Sequence, residues 1–291
     1  MEKTKVYFTK EISKEKVVEM FKILNKELAG NVAVKVHSGE KGNQNYLKPE
    51  FLKPIIDYVK GTVVECNTAY EGERDTTEKH NRLMEKHGWS KLFNVDILDS
   101  DEDIVLEIPN GKVIKKNYVG KKIIDYNSIL VVSHFKGHPM GGYGGALKQL
   151  SIGFASSKGK RYIHCVGKED GTYEDMFKVD QIKFLESMAD AAKSVTDYFK
   201  GNIVYINIMC NMSVDCDCCS VAEDPCIKDI GILSSLDPVA LDKACVDLVY
   251  NSDDPGKDHL IERIESRNGV HTIDAAYELG IGSKEYELVE I

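Results

Sequence analysis

The chain has 291 residues, 42% of them hydrophobic and 29% charged, with 23 glycines and 7 prolines. That length suits one large α/β domain spanning 1–291, or two intimately packed lobes, and the composition excludes disorder, collagen and coiled coil. A net charge of −9 repels nucleic acid and anionic membrane, so neither is an expected partner.

The first sixteen residues carry charges every few positions and never build the apolar stretch of a secretory signal. Nothing later approaches the ~18 uninterrupted apolar residues that span a bilayer, and the expectation is a cytoplasmic protein. Short β-branched runs alternate with longer amphipathic ones, which predicts an α/β fold, a mainly parallel sheet flanked by helices. Residues 5–9 form a predicted strand. A helix over 14–29 follows, with Val17, Met20, Phe21 and Leu24 on one face and Gly30 as its stop. Strand 31–37 leads to a helix over 49–60 that opens on Pro49, and then to strand 62–66. Asp75 with Glu78 three residues later predicts the cap of a helix running to His87.

Residues 96–126 read differently. Asn110-Gly111 between apolar runs at 104–108 and 112–119 predicts an antiparallel hairpin excursion, its acidic first arm attracting its basic second arm. Strand 128–132 then enters a glycine-rich stretch, 134–145, followed by a helix over 146–152. A long helix near 175–200, strand 203–209, strand 229–233 and a helix starting at Asp237-Pro238 complete the pattern. On that last helix Cys245 shares a stripe with Leu241, Leu248 and Val249, the place of a small core residue.

The glycine-rich stretch carries His134, Lys136, His138, Gly141, Gly142, Gly144, Gly145 and Lys148 at the carboxyl end of a predicted strand, where open α/β sheets bind ligands. Its backbone amides and two lysines fit a small anionic metabolite carrying phosphate or carboxylate. It matches neither nucleotide fingerprint, lacking both a third spaced glycine and a Gly-Lys-Ser/Thr ending. His134 and His138 suit either proton transfer or metal ligation, and spacing alone does not separate the two.

Of eight cysteines, five are bunched at Cys210, Cys216, Cys218, Cys219 and Cys226, which suits metal or redox chemistry in a reducing compartment better than a disulfide scaffold. In an extended run Cys216 and Cys218 would project to one side and Asp215 and Asp217 to the other, so the two thiolates could share a soft metal, iron or zinc. The spacing is neither a zinc ribbon nor a ferredoxin cluster motif, and free cysteines in a loop are the alternative. Polar residues at two further strand ends, among them Lys35, His37 and Glu40, then Glu65, Asn67 and Arg74, could line the same crevice.

Together these segments resemble the widespread family of uncharacterised iron-sulfur centre proteins, domain of unknown function 362. The resemblance rests on Lys35-Val-His37-Ser-Gly39-Glu40, Asn67-Thr68-Ala-Tyr70-x-Gly72-x-Arg74, His87-Gly88-Trp89, the stretch from Ser133 through Lys148, Asp215-Cys216-Asp217-Cys218, and Asp229-Ile-Gly231 with Asp237-Pro238 to Asp242. It implies a shared pocket but names no substrate. Many relatives carry a ferredoxin-like insert with two four-cysteine motifs near the equivalent of 164–175, where this chain has only Cys165. An iron-sulfur cluster therefore does not transfer with the resemblance, and a redox reaction would need a separate electron-transfer protein.

The expectation is a metal-binding protein acting on a small anionic metabolite. Cys216 and Cys218 hold the metal, with His134 or His138 as a candidate further ligand; Lys136, Lys148, Arg74, Asn67 and the glycine amides hold the anion, and His37 or whichever of His134 and His138 is not a ligand moves a proton. The alternative is a non-catalytic module that stores or delivers a metal or cluster.

Overall fold

A computed structural model describes residues 3–291; Met1 and Glu2, which open the charged N-terminal segment, lie outside it. In chain order the elements begin with strand β1 (Thr4–Thr9), helix α1 (Lys14–Lys22), β2 (Val32–Lys35), α2 (Pro49–Val59), β3 (Thr62–Glu65), α3 (Thr77–Lys86), α4 (Trp89–Leu92) and β4 (Val95–Ile97). There follow β5 (Asp103–Glu107), β6 (Lys116–Gly120), β7 (Ser128–His134), β8 (Lys136–His138), β9 (Gly142–Gly144), α5 (Ala146–Leu150), α6 (Ser157–His164) and α7 (Gln181–Phe199). The chain closes with β10 (Ile203–Met209), β11 (Gly231–Ser235), α8 (Pro238–Tyr250), α9 (Lys257–Ser266), α10 (His271–Glu278) and β12 (Tyr286–Glu290).

Eight strands form one sheet in the order β12-β1-β11-β10-β7-β2-β3-β4. Only β11 runs against its neighbours β10 and β1; the other pairings are parallel. The fold is therefore α/β with a mainly parallel sheet and two small antiparallel hairpins, β5–β6 and β8–β9. Strands β7 and β10 lie at its centre and are buried along their whole length, which is why each reads as a near-continuous apolar run. Their alternating side chains feed two separate cores. Ile129, Val131, Ile203 and Tyr205 pack with α5, α7 and α8 on one face, and Leu130, Val132, Val204 and Ile206 pack with α1, α2 and Trp89 on the other. Each such aliphatic side chain contributes about 2 kcal/mol on burial. No helix among the described residues is long and apolar enough to cross a membrane.

Several boundaries differ from the sequence expectation for physical reasons. Helix α1 stops at Lys22 instead of reaching residue 29, because Asn25 turns into the left-handed region at φ 47°. Thr76, not Asp75, caps α3, accepting from the Lys79 amide, while Asp75 binds the Lys79 amine. The Asn110-Gly111 pair does not make a two-residue turn. The hairpin closes at Glu107 opposite Lys116, and the residues between are drawn onto α7, where the Asp190 carboxylate accepts from the amides of Lys112, Val113 and Ile114 at 2.6–2.8 Å. Of the basic arm, Lys121 reaches Glu102 on the acidic arm, whereas Lys112 and Lys116 bind Glu186 and Glu169. Residues 96 and 97 belong to β4 of the main sheet.

Asp242 of α8 fixes the turn into α5. Its buried carboxylate accepts from the Ala146 and Leu147 amides at 2.8 and 2.9 Å and from Asn207 Nδ2 at 2.7 Å, and Tyr143 donates its hydroxyl from 3.3 Å. Burial pushes this carboxyl up to about 6 despite those bonds. An Asp242→Ala chain, which orphans several buried donors, is expected to lose about 3 kcal/mol or more in urea denaturation; a loss below about 0.5 kcal/mol would contradict this role.

Candidate functional site

Because β2, β3, β7 and β10 run parallel, their carboxyl ends share one edge of the sheet, and the loops that leave them converge. Past His134 the chain folds back as β8–β9, and the cysteine-rich loop leaving β10 lies directly against it. The Phe135 amide donates to the Ile208 carbonyl at 2.9 Å and the Gly137 amide to the Ser213 carbonyl at 2.8 Å. A Cβ on Gly137 would stand 2.2 Å from the Val214 carbonyl oxygen, so only glycine permits this approach. The loop is turned rather than extended. Asp217 points inward, accepting from His134 Nδ1 at 2.9 Å and Lys136 Nζ at 2.9 Å, while Asp215 faces Arg263 at 3.4 Å. The Asp217 backbone carbonyl also accepts from the Glu40 amide at 2.8 Å, which draws in the loop after β2.

This clamp sets Cys216 at the centre of a group of donors. Lys148 Nζ and the Cys218 amide each lie 3.4 Å from Cys216 Sγ, and the ligating atoms of His138, Cys216 and Cys218 all fall within 4.8 Å of one another. The backbone fixes which ring nitrogen carries hydrogen. His138 Nδ1 accepts from the Met140 and Gly141 amides at 3.2 and 2.8 Å, and His37 Nδ1 accepts from the Gly39 amide at 3.1 Å. The proton of each neutral ring therefore sits on Nε2, and both side chains hydrogen-bond to Cys216. Burial alone would push the Cys216 thiol up; the hydrogen bond from Cys218, the Lys148 charge and His138 together hold it well below the ordinary thiol range. Cys218, as donor to that sulfur, is pushed up correspondingly.

Beside the sulfurs lies a cavity of about 280 Å³ whose wall includes His37, Arg74, His138, Lys148, Lys160 and Cys218. Lys35, also at the wall, is neutralised by Glu65 at 2.6 Å, and Arg74 is engaged by Glu40 at 3.1 Å and the Tyr70 hydroxyl at 2.9 Å. Two amines meet no carboxylate. Among the described residues the only partner of Lys160 Nζ is the Ala155 carbonyl at 2.6 Å, and Lys148 has only the Cys216 sulfur. Burial pushes the Lys160 amine down. Gln149 lines the same cavity, and its Nε2 has no hydrogen-bond partner. His164 donates Nδ1–H to the Lys160 carbonyl at 2.7 Å, so its Nε2 lone pair is free; burial pushes this ring down to about 3 and keeps it neutral.

The remaining sequence candidates lie elsewhere in the architecture. Both His134 nitrogens face acceptors, Nδ1 the Asp217 carboxylate and Nε2 the Cys210 carbonyl at 2.6 Å, so both are already engaged within the protein. Lys136 is held by Asp217. The amides that start α5 are already filled by Asp242, against which Gly145 packs, and Gly142 packs on Gly269. The Gly141 amide serves His138, and Gly144 lies between the stems of Lys136 and Lys148. Asn67 is tied to Asp99, Thr77 and His80. Lys160, His164 and Gln149 escaped the sequence reading; the signal available was the i, i+4 spacing of Lys160 and His164, which places both on one face of α6.

The sequence model of the family described as "Domain of unknown function (DUF362)" matches residues 32–247. No curated protein matches the chain. Among solved structures, the lactate racemase apoprotein from Thermoanaerobacterium thermosaccharolyticum is similar at 16% identity with a TM-score of 0.43, covering 69% of this chain and 50% of that one. A Thermotoga maritima protein is similar at 12% identity with a TM-score of 0.40, covering 91% of this chain and 59% of that one. The chain thus spans about half the length of the first and under two thirds of the second.

The donor cluster on Cys216 is expected to keep one thiolate per chain at neutral pH. The ultraviolet thiolate absorbance should persist as pH falls well below the ordinary cysteine value of about 8.5, and Cys216→Ser should remove it. A band that vanishes near that value in the unaltered chain would contradict the assignment.

Proposed function

The chain belongs to the family described as domain of unknown function DUF362, a description that assigns no reaction, and we propose its function from the site. Cys216 and Cys218 hold a soft metal ion, iron or zinc, at the wall of the cavity, and a small anionic metabolite binds beside it. The observation that carries this reading is the pairing of two convergent sulfurs with a half-buried amine, Lys148, and a buried one, Lys160, neither of which a carboxylate binds. Buried charges are paired or they are costly; Lys148 faces the Cys216 thiolate, and the counter-charge that Lys160 lacks is the ligand's. The orphaned Gln149 amide adds a further donor for that ligand.

The chemistry of the sulfurs fits a cation. One proton shared between a buried and a half-buried thiol is what a metal ion replaces, and sulfurs within 4.8 Å of each other can close on a tetrahedral ion with metal–sulfur bonds of about 2.3 Å. Cys216 is fully buried, which suits a ligand better than a nucleophile. His138 supports the sulfur rather than the metal, because its Nδ1 already accepts two backbone amides and its Nε2 carries the hydrogen. A metal-bound histidine ordinarily donates its other nitrogen to an acceptor. The protein then supplies two ligands and leaves positions open to the bound anion, which separates the reading from a storage module, where the unpaired Lys160 would have no role. His164 Nε2 gives the cavity one neutral acceptor.

Metal analysis after purification without oxygen tests the proposal. About one equivalent of iron or zinc is expected, falling at least tenfold in Cys216→Ser/Cys218→Ser and much less in His138→Gln. A metal-free, colourless chain that behaves like Cys216→Ser would overturn it.

A further inference from the structure

The cavity that holds these two amines also has an apolar lining. Beside Lys148, Gln149 and Lys160 its wall includes the apolar side chains of Ile152, Met140 and Met176. At its edge stand Tyr173 and Phe177, exposed at 51% and 60%, with their rings edge to face at 5.2 Å. These rings are held in place rather than left on a loose tail. The Asp175 carboxylate between them accepts from the Thr172 amide at 3.0 Å and from Lys168 at 2.9 Å, and a short 3₁₀ turn, Asp175–Phe177, tucks Met176 inward. Two aromatic side chains kept in water at the edge of a cavity are an apolar surface without a partner.

We infer that the anion bound here carries a hydrocarbon tail. The ligand is an amphipathic carboxylate or phosphate whose head meets the amines of Lys148 and Lys160 and whose tail runs past Ile152 and Met176 to the Tyr173–Phe177 rim. This rests on the anion-binding reading above and names the class of anion. At about 280 Å³ the cavity lies at the small end of ligand sites, so the tail is short and its far end rests on the exposed rings.

Calorimetric titration of the full chain with inorganic phosphate, butyrate, hexanoate, octanoate, octyl phosphate and 1-octanol tests this. Affinity is expected to rise roughly threefold for each added methylene from butyrate to octanoate. Phe177→Ala should weaken octanoate about tenfold and leave inorganic phosphate unchanged, whereas Tyr277→Ala, at an exposed site elsewhere, should alter neither. Octyl phosphate against octanoate reports which head the amines prefer. Equal affinities for butyrate and octanoate, with phosphate still bound, would overturn the tail and leave anion binding standing. Binding of 1-octanol with no anion bound would overturn anion binding and this inference with it.

Discussion

One buried carboxylate holds the candidate site together. Asp217 sits on the loop after β10, yet its partners His134 and Lys136 lie at the end of β7 and the start of β8, some eighty residues earlier. The positive charge beside it overcomes burial and holds its carboxyl below the usual range. Removing one member of such a buried group leaves the others uncompensated, at a cost of about 3–5 kcal/mol. The interaction therefore fixes where the neighbouring residues, Cys216 and Cys218, must stand. Gly137 completes the clamp, since a side chain there would force the two loops apart.

Hydrogen-bond direction gives four histidines around this clamp different work. His134 faces acceptors on both sides and orients Asp217. His37 and His138 accept backbone amides on Nδ1 and turn a hydrogen toward Cys216. His164 donates Nδ1–H to a helical carbonyl and keeps a bare nitrogen. The same side chain becomes an anchor, a thiolate donor or an acceptor according to which backbone group it meets.

The central sheet was legible in the sequence because β7 and β10 are buried on both faces and announce themselves as apolar runs. The proximity of the glycine-rich and cysteine-rich loops followed from the rule that parallel strands share a carboxyl edge. Other features depended on contacts that no local pattern carries. Asp190, far along the chain, unmakes the expected Asn110-Gly111 turn by binding three amides. Asp242 fills the helix start that looked ready for a ligand's anion, and Asp217 engages the lysine that looked free to hold one. Lys160 belonged to none of the motifs read in the sequence, yet it is the amine left without a counter-charge. The reversal of β11 carried no signal either, because direction leaves no trace in periodicity.

The account is tested most directly by X-ray absorption at the metal edge of the chain purified without oxygen. Two sulfur scatterers at about 2.3 Å are expected, with the remaining scatterers oxygen or nitrogen and exchangeable by added phosphate. A first shell without sulfur, or one with the full four sulfurs of a closed structural site, would contradict it.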